Sequence, residues 1–247
     1  MYTPEAEGQL PAVVYFHGGG FVMGDLEVVD RPCRQLAAAA GAIVVSVDYR
    51  LAPEHRYPAA FDDCYVATEW VAANAEELGA DTSRIAVGGD SSGANLATAV
   101  ALAARDRSGP KLSAQLLVYP VLDFNFRTDS YQRNGEGYVL TKAAGQVFWA
   151  HYLGAQDLGD DPYAFPLRAK SLAGLPPVYL AIAEYCPLYD EQQEYARRLA
   201  ADSVAVTTRE FDGMLHGFLW SMAAMPSTAN IIDDLVAVLH KAWSTES

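Results

Sequence analysis

The chain has 247 residues, 51% of them apolar, enough to bury a substantial core as one α/β domain. Its net charge of -14, from 17 basic against 31 acidic side chains, excludes nucleic acid as a partner, because phosphate backbones are held by Lys and Arg. No apolar run reaches membrane-spanning length, the start Met1-Tyr2-Thr3-Pro4-Glu5 lacks the features of a secretion signal, and the odd set Cys33, Cys64 and Cys186 shows neither metal-ligand nor disulfide spacing, so a soluble, cytoplasmic protein is expected.

The first apolar run, Ala12 to Phe16, has strand composition and ends in His17-Gly18-Gly19-Gly20-Phe21. Three consecutive glycines leave backbone N-H groups unshielded, which suits either a phosphate or the oxyanion of acyl transfer. A phosphate loop needs Lys-Ser/Thr after its glycines, and Phe21-Val22-Met23 follows instead. An amphipathic helix with Leu36 near its end leads to a second buried strand, Ala42 to Val47, and then to Asp48-Tyr49-Arg50-Leu51-Ala52-Pro53-Glu54. From Tyr57-Pro58 a long helix is expected to run to about Leu78, with Val66, Trp70 and Val71 on one face.

Arg84 to Val87 is a β-branched strand signal, and the alanine-rich stretch Asn95 to Leu102 has good helix propensity. Between them lies Gly89-Asp90-Ser91-Ser92-Gly93, a G-x-S-x-G turn from strand to helix, in which small residues let the two backbones nearly touch. Alone, the pentapeptide also fits a plain Gly-rich turn capped by serines. In a nucleophile turn Ser91 is the attacking residue, and the Ser92 amide at the helix start is placed to stabilise an oxyanion.

Gln115 to Tyr119 is a further strand, stopped by Pro120, and the aromatic, polar stretch from about Asp123 to Tyr138 has no clear period. Together with a helix around Thr141 to Leu153, it marks residues 121–172 as a substrate-facing insertion, or partial cap, in a single domain covering 1–247. Pro177 to Ala183 is a strand running into Glu184 to Glu191 and a helix to about Ala201. The last strand, Val204 to Thr208, precedes Gly213-Met214-Leu215-His216-Gly217-Phe218, and a final helix is expected from about Thr228 to Trp243. Strand and helix alternate throughout, as in a mostly parallel sheet with helices on both faces.

With His17-Gly18-Gly19-Gly20, the Ser91 turn, Asp48 to Glu54, Tyr57-Pro58-Ala59-Ala60, Asp161-Pro162-Tyr163, Glu184 to Glu191 and His216-Gly217-Phe218 in this order, the chain resembles the hormone-sensitive-lipase-like (bacterial family IV) carboxylesterases of the α/β-hydrolase superfamily over nearly its whole length. The resemblance implies a serine carboxylesterase acting on short-chain acyl esters through an acyl-enzyme, with no cofactor. Ser91 is then the nucleophile, His216 the base, and the amides of Gly19, Gly20 and Ser92 the oxyanion hole. His17 is expected to fix the glycine loop, Asp90 and Asp48 to anchor loops, and Trp149 and Tyr152 to sit in the core. His55, His151 and His240 are expected to be satisfied or solvated, and none has a metal-ligand partner.

Two departures from the family pattern stand out. Family members usually begin with a helical N-terminal lid segment, whereas this chain begins close to its first strands, so that part of the cap is expected to be missing and an exposed apolar rim could favour a homo-oligomer. The family's acid loop reads Asp-Pro-Leu, and Cys186 occupies the position of that aspartate here, with Asp190 and Glu184 the nearest substitutes. A first-turn carboxylate favoured by the helix dipole accounts equally well for Asp190. The substitution also admits a second function: a catalytically decayed hydrolase serving as a small-ligand-binding protein.

Overall fold

The computed structural model describes residues 1–221 and 230–244. In chain order its elements are β1 (Leu10–Phe16), α1 (Asp30–Ala40), β2 (Ile43–Val47), α2 (Ala59–Ala73), α3 (Ala75–Leu78), β3 (Ala80–Asp90), α4 (Ser92–Asp106), β4 (Ala114–Val118), α5 (Asp129–Asn134), α6 (Lys142–Leu153), β5 (Val178–Tyr185), α7 (Tyr189–Ala201), β6 (Val206–Leu215) and α8 (Asn230–Ser244). The strands form one sheet in the order β2-β1-β3-β4-β5-β6, every neighbouring pair parallel. This is the expected mostly parallel α/β-hydrolase sheet. Strands β1 and β4 are buried along their whole length, which requires cover on both faces. Helix α1 packs on α8, and α2 on α4, to provide it.

A parallel sheet aligns the C-terminal ends of all its strands on one edge, so residues that directly follow different strands meet there. Gly18 to Gly20 follow β1, Ser91 follows β3, Cys186 follows β5 and His216 follows β6. The site is thus set by topology before any side chain contributes.

Several local expectations are corrected. The buried face of α2 is Ala60, Phe61, Cys64, Tyr65, Thr68 and Val71, while Val66 and Trp70 point to solvent. Hydropathy favours these two residues, but the helical repeat from Ala60 to Val71 is the face that packs on the alanine-rich α4. The single helix expected to Leu78 is two, α2 and α3, broken at Asn74, whose side-chain amide donates to the Trp70 carbonyl. Strand β6 runs seven residues beyond Thr208, through Gly213 to Leu215, because it continues to pair with β5 as far as Tyr185. The expected start of the last helix at Thr228 lies outside the described residues. No helix among the described residues is long and apolar enough to cross a membrane.

Candidate active site

Strand β3 enters the Ser91 turn in register with β1, Gly89 opposite Phe16, and with β4, Asp90 opposite Val118. Ser91 then adopts φ 53° and ψ -118°, a conformation that costs a non-glycine residue energy and that its surroundings must enforce. Its N-H donates to the Val118 carbonyl at 2.9 Å, which ties the turn to the sheet. A Cβ on Gly93 would lie 2.0 Å from the Phe16 carbonyl oxygen, so the close approach of α4 to β1 admits only glycine there.

The glycine loop after β1 is anchored from two sides. Gly18 donates its N-H to Oδ1 of Asp90 at 3.1 Å, and the Tyr49 hydroxyl donates to the His17 carbonyl at 2.7 Å. The His17 ring stacks on Tyr49 at 4.3 Å with Nδ1 2.8 Å from the Gly18 carbonyl, and burial lowers its pKa, so that it serves the loop as a neutral ring. Gly19 reaches φ 133°, turning the chain back so that its carbonyl accepts from Val22 and Met23. Among the described residues the amides of Gly19, Gly20 and Ser92 donate to no protein acceptor, and they remain available to a ligand oxygen.

Ser91 Oγ lies 2.9 Å from Nε2 of His216, and Nδ1 of His216 lies 3.2 Å from Sγ of Cys186. The Leu188 N-H also points at Sγ, at 3.4 Å. Cys186 is fully buried, and burial pushes its thiol pKa far up, so the sulfur is neutral. Burial acts on His216 in the opposite sense, lowering its pKa to about 3.

Asp190 stands elsewhere. Its Oδ2 accepts from the Ser130 N-H at 2.7 Å, its Oδ1 lies 3.4 Å from the Arg133 guanidinium, and it makes no hydrogen bond to His216. Glu184 accepts from the Gly213 N-H at 2.7 Å, also away from the imidazole. The acid loop is held by its backbone: the Asn134 side-chain amide donates to the carbonyls of Glu184 and Cys186, each at 3.2 Å, and the Ser130 hydroxyl donates to the Pro187 carbonyl at 2.7 Å. Of the remaining histidines, His240 has Nε2 3.2 Å from the Ala40 carbonyl.

Ser91 and His216 open into a cavity of about 210 Å³ whose other walls are apolar, among them Phe148 and Trp149 of α6, Tyr131 of α5, Val121, Leu188 and Trp220. Tyr152 is core, as expected, but Trp149, equally buried, also lines this cavity. Sequence reasoning missed three participants. Glu191, buried in α7, accepts from the Leu122 N-H at 2.7 Å and fastens the segment after β4 to α7. Phe148 lies so close over Gly20 that a Cβ there would be 2.5 Å from its ring. Trp220 donates its indole N-H to Oδ2 of Asp90 at 2.9 Å. The i, i+1 pair Asp190-Glu191 at a helix start was the available signal for the first; the other two join residues more than 120 positions apart.

Residues 13–220 match a family profile described as alpha/beta hydrolase fold. The chain is 46% identical over 239 residues to esterase LipI of Mycobacterium tuberculosis, covering 95% of this chain and 75% of that protein. It is 41% identical over 244 residues to carboxylesterase NlhH of the same species, covering 98% and 76%. The crystal structure of esterase LipW from Mycobacterium marinum superposes with a TM-score of 0.92 at 39% identity, over 96% of this chain and 75% of that one. The chain belongs to the hormone-sensitive-lipase-like family of α/β hydrolases.

Proposed function

We propose that the protein hydrolyses carboxylic esters with short acyl groups, Ser91 attacking the carbonyl and His216 carrying the proton. The observation that carries this reading is the 2.9 Å contact between Ser91 Oγ and His216 Nε2 at the floor of an apolar cavity that also receives unpartnered amides. For Nε2 to accept the serine proton, Nδ1 must hold the other ring proton and donate it to Cys186. The tetrahedral oxyanion is stabilised by the amides of Gly19, Gly20 and Ser92. Collapse expels the alcohol with the proton from His216, and water, activated by the same imidazole, releases the acid from Ser91.

Cys186 fulfils the acid's orienting role but not its charge. A neutral sulfur is a weak acceptor and leaves the imidazolium that forms during attack without a counter-charge. The reading is therefore of a slow esterase. The alternative of a decayed, ligand-binding hydrolase draws no support from the relatives, whose names are those of esterases, or from the retained serine-imidazole contact.

Residues 121–172 serve as the cap, supplying Val121, Tyr131, Val139, Leu140, Phe148 and Trp149 to the cavity wall. A homo-oligomer would be built on the exposed apolar rim of Met23, Val139, Val147 and Trp220. Three free, buried cysteines suit a reducing, cytoplasmic setting. The test is labelling with a fluorophosphonate: the native protein takes one label on Ser91, and Ser91→Ala takes none. An unlabelled native protein that binds esters without turnover would leave the decayed reading standing.

A further inference from the structure

Asp90 takes no part in the proton transfers, yet its carboxylate joins three pieces of the site. It is the last residue of β3, directly before Ser91, and is fully buried. Oδ1 receives the Gly18 N-H at 3.1 Å and the Tyr15 hydroxyl at 3.3 Å, and Oδ2 receives the Trp220 indole N-H at 2.9 Å. Trp220 sits in the short turn after His216, its ring 43% exposed and forming part of the cavity wall. A half-exposed indole could give its N-H to water, but this one reaches inward to a buried anion. The ring is thereby held at its N-H while the residue lines the same cavity as Ser91.

We propose that Asp90 is a positioning residue that pins Trp220 as a fixed wall of the cavity, and that Trp220 so held sets how large a substituent on the ester the site accepts. This rests on the esterase reading of that cavity. Trp220 makes no hydrogen bond to Ser91 or His216, so a loosened ring weakens substrate binding more than it slows the chemistry. Asp90 also holds Gly18 and through it the glycine loop, so its own removal affects both.

The pin is sensitive to protonation. Burial raises the Asp90 pKa to about 7, against the opposing pull of its hydrogen bonds. The titratable groups facing it are Tyr15 from β1, Cys33 from α1, Tyr49 beyond β2 and Tyr119 beyond β4, and burial pushes the pKa of each up, so all are neutral near pH 7. Among the described residues no cation pairs with Asp90, and Tyr15, Gly18 and Trp220 all donate to its carboxylate. Protonation adds a fourth donor to this group and weakens the hold on Trp220.

The experiment is a double-mutant cycle on Trp220→Phe, which keeps a ring and deletes the N-H, and Asp90→Asn, with kcat and KM measured for p-nitrophenyl acetate, butyrate and octanoate. Trp220→Phe is expected to raise KM for the two larger esters about three- to tenfold, the net worth of one ordinary hydrogen bond, with a smaller change in kcat. Asp90→Asn is expected to raise KM comparably and to lower kcat, and its effect on KM is expected to vanish in the Trp220→Phe background. Multiplying KM effects, or an unchanged KM in Trp220→Phe, would overturn the proposal. A second readout needs neither turnover nor a folded Asp90→Asn: in the native protein the indole N-H resonance of Trp220 moves as Asp90 titrates, and a resonance that stays fixed between about pH 5 and 9 overturns the sensitivity of the pin to protonation. Native protein that neither turns over esters nor labels at Ser91 defeats the esterase reading, whereas the resonance titration addresses the pin alone.

Discussion

The nucleophile turn and the acid loop stand on the same edge of the same sheet, and they are fixed in different ways. Ser91 is placed by backbone sterics: the glycines on either side of it exclude any side chain, and the turn's own N-H is tied to β4. The loop at Cys186 is placed by donors that grip its carbonyls, from Asn134 and Ser130, and these do not depend on which side chain residue 186 carries. A change of residue at Ser91 or Gly93 therefore alters geometry or removes the proposed nucleophile, while a change at 186 alters chemistry and leaves geometry in place. This is how a thiol can stand 3.2 Å from the imidazole where the family has a carboxylate.

The sharpest test of that contrast is Cys186→Asp. With the loop already held, the new carboxylate should raise kcat by about two to four orders of magnitude with little change in KM, by analogy with the roughly 10⁴-fold cost of neutralising the acid in a serine protease. Equal kcat in the two proteins would show that the loop does not present the side chain to Nδ1. Ser91→Ala comes next. Knocking out the serine of an intact triad costs about 10⁶ in kcat, but groups that act together are not additive, so in this thiol-containing enzyme the loss should be nearer 10² and should grow after Cys186→Asp. An undiminished rate of ester hydrolysis in Ser91→Ala would remove it from the mechanism.

Gly93→Ala probes the sterically fixed side. The added methyl meets the Phe16 carbonyl, and the resulting strain should cost about 3 kcal/mol, read as a fall in Tm of roughly 6–12 °C. A Tm within a degree of native would mean that α4 has room to move. Asp190→Asn sits at the bottom of the scale: its carboxylate serves Ser130 and Arg133, so kcat should change less than about threefold, and a loss of 10² or more would reinstate it as the acid.

Protonation tests the same two regions together. The folded-state pKa of His216 is lowered to about 3 from an unfolded value near 6.5, so its contribution to stability is present above that value and is lost as pH falls toward 3. Asp90 has its folded pKa raised to about 7 from an unfolded value near 3.9, so its contribution is present at low pH and is lost as pH rises through 7. Between about pH 4 and 6.5 the two slopes oppose. Asp90→Asn removes one of them, and its urea midpoint should fall more steeply on acidification than that of the native protein. Parallel midpoint curves would count against the burial cost assigned to Asp90.

Much of this was legible in the sequence because the fold writes its fixed parts in short contiguous motifs. Three glycines after a strand, and glycines bracketing Ser91, are backbone requirements that need no knowledge of the partner. The position of Cys186 was legible for the same reason, since Pro187-Leu188 marks its loop. Tertiary choices were less so. The buried face of α2 depends on how closely the alanines of α4 let it approach, which favours Cys64 and Thr68 over Val66 and Trp70. The Asp90 to Trp220 hydrogen bond joins the two ends of the catalytic order, and no local pattern announces it.

The contact between Phe148 and Gly20 has a consequence for how the segment around α6 can vary. Phe148 lies on α6, and a helix turns about 100° per residue, so one residue added or removed between the start of α6 and Phe148 would carry the ring off the glycine loop altogether. The roof of the cavity is thus phased to its floor. Length changes in this segment are compatible with the site only in the irregular stretches before Lys142 and after Leu153, where the chain can absorb them without rotating the face that Phe148 and Trp149 present to Ser91.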